Sequence, residues 1–417
     1  MLRSFRLGNH RSFRDEQELL LMPSMPGDER PVVPVAAIYG ANASGKSNLV
    51  DGLEFMRSAV LSSFRRDDSG RLERSPFRPL PGAAVPSVFV AELVAENVRY
   101  TYGFVLDEDT VREEWLYSFP EKRRRVIFER EGDETRFGST VADLRAKLAV
   151  LEELIRPDAL LLGSCDRLEL GPLMPVYRWF EACLTLRALG SGSPPGLVAH
   201  NVGHYLHHRP DNARRLVALL AAADVGITDV VAEEVEGHIP GLPRTITAVA
   251  REIARRGAPP SRHWKLALTH GAGGGPFDLD DESAGTRNWL ELLPSVLDSL
   301  DHGQVLVVDE IDASLHPLLT ARLVGLFQDP EVNSANAQLV FTTHDTSLLG
   351  TMLGDQVLDR DQIWFVDKGA DGVSELYPLT DFKPRKDQNT ERRYLAGSYG
   401  AVPVLGGTSF SDAVLGR

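Results

Sequence analysis

The stretch Gly40-Ala41-Asn42-Ala43-Ser44-Gly45-Lys46-Ser47 follows the pattern G-x-x-x-x-G-K-[ST], whose chemistry is the cradling of phosphate. Glycines let backbone N–H groups close around a β-phosphate, and a helix N-terminus adds positive potential. Lys46 would reach β and γ oxygens and the Ser47 hydroxyl would ligate Mg²⁺, with Asn48 following on the first turn. A second constellation ends an apolar run, where Val305-Leu306-Val307-Val308 leads into Asp309-Glu310. A buried strand closing on two carboxylates sets them at the carboxyl edge of a sheet, beside the phosphate loop. Their roles should differ: Asp309 would hold the Mg²⁺ shell, while Glu310, pointing elsewhere, would polarise the attacking water as general base.

Both constellations need particular elements behind them. Val35 to Ile38 is a short apolar run that a glycine ends, which reads as a buried strand feeding a loop. Leu49, Leu53, Met56 and Val60 then recur at helical spacing, predicting an amphipathic helix from Ser47 to about Phe64. Strand, Gly-rich loop and helix is the context the phosphate pattern requires. Ser87 to Leu106 alternates around Glu96-Asn97 and predicts an antiparallel hairpin in a second sheet. From about Val141 to Glu236 the residues turn to Leu, Ala, Glu and Arg-rich helix formers, broken by turn clusters at Gly190 to Gly196 and His208 to Asn212. From Thr245 strand signals return, at Trp264 to Leu268, Val305 to Val308, Gln338 to Phe341, and a hairpin of Gln362 to Val366 with Val373 to Tyr377. The expected organisation is an α/β P-loop fold in three parts. Residues 1–140 carry the phosphate loop and an N-terminal antiparallel β subdomain, 141–240 an inserted helical lobe, and 241–417 the rest of the core.

The 417 residues are 43% hydrophobic, enough for a sizeable core, which excludes disorder as the main state. The net charge of −14 argues against a chain-wide basic glove for nucleic acid, leaving room for local patches such as Lys122-Arg123-Arg124-Arg125. That cluster reads either as a solvated loop or as a contact to a phosphate backbone. Two cysteines, Cys165 and Cys183, are too few for a disulfide framework and suit a reducing cytosol. No apolar run approaches the ~20 residues that span a bilayer, so no membrane contact and a cytoplasmic location are expected.

Further segments carry a resemblance. Asp281-Glu282-Ser283-Ala284-Gly285-Thr286 resembles the signature motif of ABC-type ATPases in the S-x-G-[TG] form of the chromosome-maintenance branch. An amphipathic helix with Trp289, Leu293, Val296 and Leu300 separates it from Asp309. Ile311-Asp312-Ala313-Ser314-Leu315-His316-Pro317 looks like that branch's D-loop, and Thr342-Thr343-His344-Asp345 like its switch-histidine loop. Arg11-Ser12-Phe13, Glu113-Glu114-Trp115-Leu116, Asp361 to Phe365, Arg385-Lys386 and Tyr394 to Gly400 extend the match to ABC-like AAA-family proteins of the RloA and abortive-infection type, related to the overcoming-lysogenization-defect ATPases.

The resemblance implies an ABC-ATPase-like P-loop fold that turns ATP into ADP and phosphate with Mg²⁺. Ser283, Ala284, Gly285 and Asp312 would then bind nucleotide, and His344 would sense the γ-phosphate. A signature of this kind lies too far from its own phosphate loop to act in cis, so two chains would sandwich two ATP molecules head to tail, as a dimer or within a higher assembly. The group implies an ATP-driven sensor or regulator of antiphage defence, encoded beside an effector such as an RloB-like or TOPRIM nuclease. The rival expectation is a RecF-like, ATP-dependent DNA-binding repair clamp. One departure stands out: no glutamine occurs between Gln17 and Gln304, so the glutamine that usually links Mg²⁺ to the helical lobe is missing from its expected region. His316 reads as a structural residue, Asp359-Arg360-Asp361 as a loop, Gly271 to Gly275 as an approach to the signature, and Arg256 to His263 as too broken by Gly257, Pro259 and Pro260 for a nuclease site.

Overall fold

A computed structural model describes the chain apart from residues 26, 65–71, 79–84, 109, 169, 191, 224, 242–261, 272–275, 354–355, 386–387, 404–413 and 415–417. Thr245, residues 256–261 and 272–275, and Lys386 therefore lie outside the described residues. Two compact units emerge. The larger holds Leu2–Tyr177 and Thr346–Arg417, the smaller Met1 and Arg178–Asp345.

In the larger unit the strands β1 (Leu2–Gly8), β2 (Gln17–Leu20), β3 (Val35–Tyr39), β4 (Ser87–Ala95), β5 (Val98–Leu106), β6 (Val111–Ser118), β7 (Arg125–Glu131) and β8 (Glu134–Phe137) accompany helices α1 (Lys46–Ser62) and α2 (Arg145–Leu154). All but β3 form one antiparallel sheet in the order β2-β1-β4-β5-β6-β7-β8. The β4–β5 turn is the expected one. Glu96 and Asn97 have φ of 49° and 62°, the left-handed pair that a two-residue hairpin needs to match strand twist. A buried carboxylate ties this sheet to the segment after α2. Glu114, 0% exposed, accepts N–H bonds from Leu161 at 2.6 Å and Leu162 at 3.0 Å and the Tyr102 hydroxyl at 2.9 Å, with Arg130 at 4.0 Å. Burial pushes its carboxyl above the ordinary range, against the pull of those donors.

β3 is wholly buried, and Leu49, Leu53, Met56 and Val60 of α1 are buried as the periodicity requires, each worth roughly 1.5–3 kcal/mol.

In the smaller unit come β9 (Leu184–Ala188), α3 (Pro195–His208), α4 (Pro210–Ala222), β10 (Ile227–Glu236), β11 (Arg262–His270), β12 (Phe277–Asp278), α5 (Ala284–His302), β13 (Val305–Asp309), α6 (Pro317–Gln328) and β14 (Gln338–Thr342). β13 runs parallel between β9 and β14, while β10, β11 and β12 make an antiparallel sheet on which α3 and α4 pack. The chain then returns to the larger unit with β15 (Ile363–Lys368), parallel to β3 and antiparallel to β16 (Ser374–Pro378), and α7 (Thr390–Leu395).

The stretch expected to be helical, 141–240, holds α2, α3 and α4 but also β9 and β10. Leu184–Ala188 is too short for periodicity to separate strand from helix. Ile227–Glu236 mixes β-branched residues with Ala and Glu, and its pairing with β11 from Ile227↔His270 to Glu236↔Arg262 decides the matter.

Candidate functional site

Within the larger unit the phosphate loop joins the end of β3 to α1. Its backbone is bent by two left-handed residues, Ala43 at φ 61° and Gly45 at φ 116°. Gly45 is irreplaceable on two counts. Its φ disfavours any side chain, and a Cβ there would lie 2.5 Å from Ser374 Oγ and 2.7 Å from Ser12 Oγ. Those two hydroxyls brace the loop from behind. Ser374 Oγ donates to the Ser44 carbonyl at 2.5 Å and shares a 2.8 Å hydrogen bond with Ser12 Oγ, which accepts from Asn48 Nδ2 at 2.7 Å. Lys46 is 6% exposed, its Nζ donating to the carbonyls of Gly40 at 2.9 Å and Ala41 at 3.1 Å. Ser44 Oγ is buried with no hydrogen-bond partner, whereas Asn42, Ala43 and Ser47 are exposed.

A loop with a buried ammonium, an orphaned buried hydroxyl and two left-handed residues fits the triphosphate that the resemblance implies. Ser47 is exposed on the first turn of α1, where its hydroxyl could take a metal ion. Behind the loop, His10 Nε2 at 2.7 Å and Arg11 engage Asp51 of α1. Although burial opposes it, the hydrogen bonds from His10 and Arg11 hold the Asp51 carboxyl below its ordinary value.

Within the smaller unit β13 delivers Asp309 and Glu310 into a tight turn. Thr342, 0% exposed at the end of β14, wires the pair together. Its hydroxyl donates to Asp309 Oδ1 at 2.5 Å and accepts the Glu310 N–H at 2.8 Å. Glu310 sits in the left-handed region at φ 54°, so its side chain leaves the strand in a different direction from that of Asp309 and is exposed. Asp312 accepts the backbone N–H of His344 at 3.2 Å, fixing the histidine loop to the turn after Glu310, and His344 itself is exposed.

The signature residues open α5. Ser283 is the N-cap, its Oγ accepting the Thr286 N–H at 3.1 Å, and Ser283 and Ala284 are exposed. A Cβ on Gly285 would overlap the Ser314 carbonyl, and Asn288 Nδ2 donates to the Ala313 carbonyl at 2.9 Å. The first turn of α5 thus rests on the turn that follows Glu310. His316 caps α6, its Nδ1 accepting the Leu318 N–H at 3.2 Å, and Arg360–Gln362 is a single 3-10 turn.

The structure brings Gly40 to Asn48 together in one unit and Asp309, Glu310, Asp312 and His344 in the other, with Ser283 to Gly285 against the same turn. Sequence reasoning missed Thr342, Ser12 and Ser374 as supports, although Thr342 opens the Thr-Thr-His-Asp string and Ser12 lies in Arg-Ser-Phe. Among the described residues no cluster of three or more His, Cys, Asp or Glu could hold a metal ion, and no helix is long and apolar enough to cross a membrane.

No curated protein matches the chain. Among solved structures, the Smc head bound to the C-winged helix domain of ScpA is 15% identical, with 91% of this chain and 99% of that chain covered at a TM-score of 0.45. The SMC head domain from Thermotoga maritima is 14% identical, with 90% and 98% covered at 0.40. The Smc head with an extended coiled coil, bound to the C-terminal domain of ScpA derived from Pyrococcus furiosus, is 14% identical, with 92% and 97% covered at 0.42. Residues 35–162 and 191–350, well over half of the chain, match the family described as "AAA domain, putative AbiEii toxin, Type IV TA system", and the chain belongs to that family.

Proposed function

We propose that the chain is an ATP-hydrolysing, ABC-type switch subunit that senses or regulates in an antiphage defence system and acts through a separate effector. The observation that carries the hydrolytic part is the divided wiring of the acid pair. Thr342 engages Asp309 by its side chain and Glu310 only by its backbone, so the Glu310 carboxylate remains exposed and able to accept a proton. Asp309, with one oxygen held, and Ser47 would ligate Mg²⁺. When bound, the metal ion neutralises charge developing on the transferred phosphoryl group. Lys46 attracts the β and γ oxygens, the backbone of Gly40 to Ser47 cradles them, and Glu310 orients and deprotonates the water that attacks the γ-phosphorus as the bond to the ADP oxygen breaks. His344, exposed and anchored through Asp312, would follow the γ-phosphate.

The cap at Ser283, Ala284 and Gly285, exposed at Ser283 and Ala284, supports a head-to-tail pairing in which one chain's signature meets the other's nucleotide. The segment 141–240 and the exposed basic turn at Lys122 to Arg125, whose Arg124 lies 4.5 Å over the Tyr117 ring, are where a trigger, a nucleic acid or a partner would be read. An effector encoded nearby, an RloB-like or TOPRIM nuclease, would receive the signal. Membership of a family described through the AbiEii toxin supports the defence setting.

Two variants separate the steps. Lys46→Ala should weaken ATP binding, and Glu310→Gln should bind ATP and lose turnover. Both should abolish phage protection in cells that carry the neighbouring gene. Wild-type hydrolysis by Glu310→Gln would overturn the assignment, and protection unaffected by Lys46→Ala would overturn the switch.

A further inference from the structure

We propose that Gly190 is a positioning residue for Glu310, the bare surface on which the carboxylate of the general base rests, and that α5 holds that surface in place. The proposal rests on the reading of Glu310 as the base. Gly190 lies two residues beyond β9, the strand parallel to β13, and the Leu189 N–H donates to the Asp309 carbonyl at 3.2 Å. The parallel ladder therefore brings the two chain ends level. A Cβ placed on Gly190 would overlap Glu310 Oε2 and lie 2.8 Å from Cδ and 3.6 Å from Cβ, and these three atoms are its nearest neighbours. The backbone of Gly190 is not in the left-handed region, so conformation alone does not call for glycine there. What a side chain meets first is the carboxylate of Glu310.

The main chain of Glu310 has little freedom to give way. Its φ of 54° is held by its N–H on Thr342 and by its carbonyl, which accepts the Ala313 N–H at 2.9 Å. With the main chain pinned, the carboxylate goes where its χ angles and the Cα of Gly190 allow.

The surface is fastened to the signature helix from both sides. Arg187 Nε donates to Ser295 Oγ at 2.9 Å, and Ser193 Oγ donates to Glu291 Oε1 at 2.6 Å. Glu291 and Ser295 are one turn apart on a single face of α5. The same helix grips the turn after Glu310 through Asn288. A displacement of α5 therefore acts on the base and on the surface it rests against, which gives the signature a route to the base without a glutamine.

The test uses the full chain as wild type, Gly190→Ala, Glu310→Ala, Glu310→Gln and the double variant Gly190→Ala/Glu310→Ala. ATP affinity, turnover and thermal midpoint are measured for each. Gly190→Ala should bind ATP like wild type while turnover falls about a hundredfold, the cost of misplacing a catalytic group by about 1 Å. Its midpoint should drop in the wild-type background and not in the Glu310→Ala background, where the obstacle is gone. Wild-type turnover by Gly190→Ala, or an equal midpoint drop in both backgrounds, overturns the proposal. Loss of turnover in Glu310→Gln but not in Gly190→Ala overturns it alone, whereas turnover retained in Glu310→Gln overturns the base assignment as well.

Discussion

Replacing Thr342 by valine removes one oxygen and keeps the shape of the side chain. That oxygen serves two partners. Its hydrogen bond to Asp309 at 2.5 Å involves a charged acceptor, worth about 1.5–3 kcal/mol, and its bond from the Glu310 N–H at 2.8 Å is an ordinary one, worth about 0.5–1.5 kcal/mol. Asp309 is half-buried and Glu310 exposed, so water recovers part of each loss. Thr342→Val should therefore cost about 2–3 kcal/mol of stability, and Thr342→Ser, which keeps the oxygen and deletes a buried methyl, about 1 kcal/mol. The functional effect should exceed the loss of stability, because a valine neither orients the Asp309 carboxylate nor fixes the left-handed turn that aims Glu310. Turnover should fall about a hundredfold in the valine variant and much less in the serine variant.

The assay is ATP turnover at saturating Mg²⁺, run beside equilibrium binding of ATP in EDTA. Lys46 and its loop are untouched by the substitution, so metal-free binding should stay at the wild-type level. Urea denaturation places the three proteins in order of stability. Equal turnover in the serine and valine variants would show that the hydroxyl has no part in aligning the acids. A valine variant with wild-type turnover would refute the wiring altogether.

Ser374→Ala should weaken ATP binding about tenfold, since it removes the donor that holds the Ser44 carbonyl, as titration of a fluorescent nucleotide would show. Mixing Lys46→Ala chains with Gly285→Asp chains should restore part of the activity that each lacks alone, and specific activity should rise with concentration until assembly saturates. Asp51→Asn should destabilise the chain at neutral pH, with the gap to wild type closing on acidification. The folded Asp51 carboxyl titrates below its ordinary value of about 3.9, so its contribution is present above that pH and lost as pH falls through the folded value. Acid denaturation curves of the two proteins check this. His316→Ala should cost about 1 kcal/mol through the lost cap of α6 and leave turnover per folded chain unchanged.

What was legible in the sequence was whatever a short string of residues carries by itself. The phosphate loop, the acid pair after its apolar run, the left-handed Glu96-Asn97 turn and the buried stripe of α5 each declare themselves within a few positions. The supports of the site do not, because each is defined by a partner distant along the chain. Ser12 and Ser374 stand 362 positions apart, and each is an unremarkable serine until the two hydroxyls meet behind Gly45. Thr342 is separated from Asp309 by 33 positions, and strands β13 and β14 must pair before its hydroxyl acquires a role.

Gly190 is harder still, since what matters there is an absent side chain. In the sequence it opens a turn cluster that reads as punctuation between helices. Its meaning depends on recognising Leu184–Ala188 as a strand parallel to β13, the one element within 141–240 whose misreading hides a neighbour of Glu310. The position beside Glu310 is filled by backbone, and backbone leaves no mark in a motif.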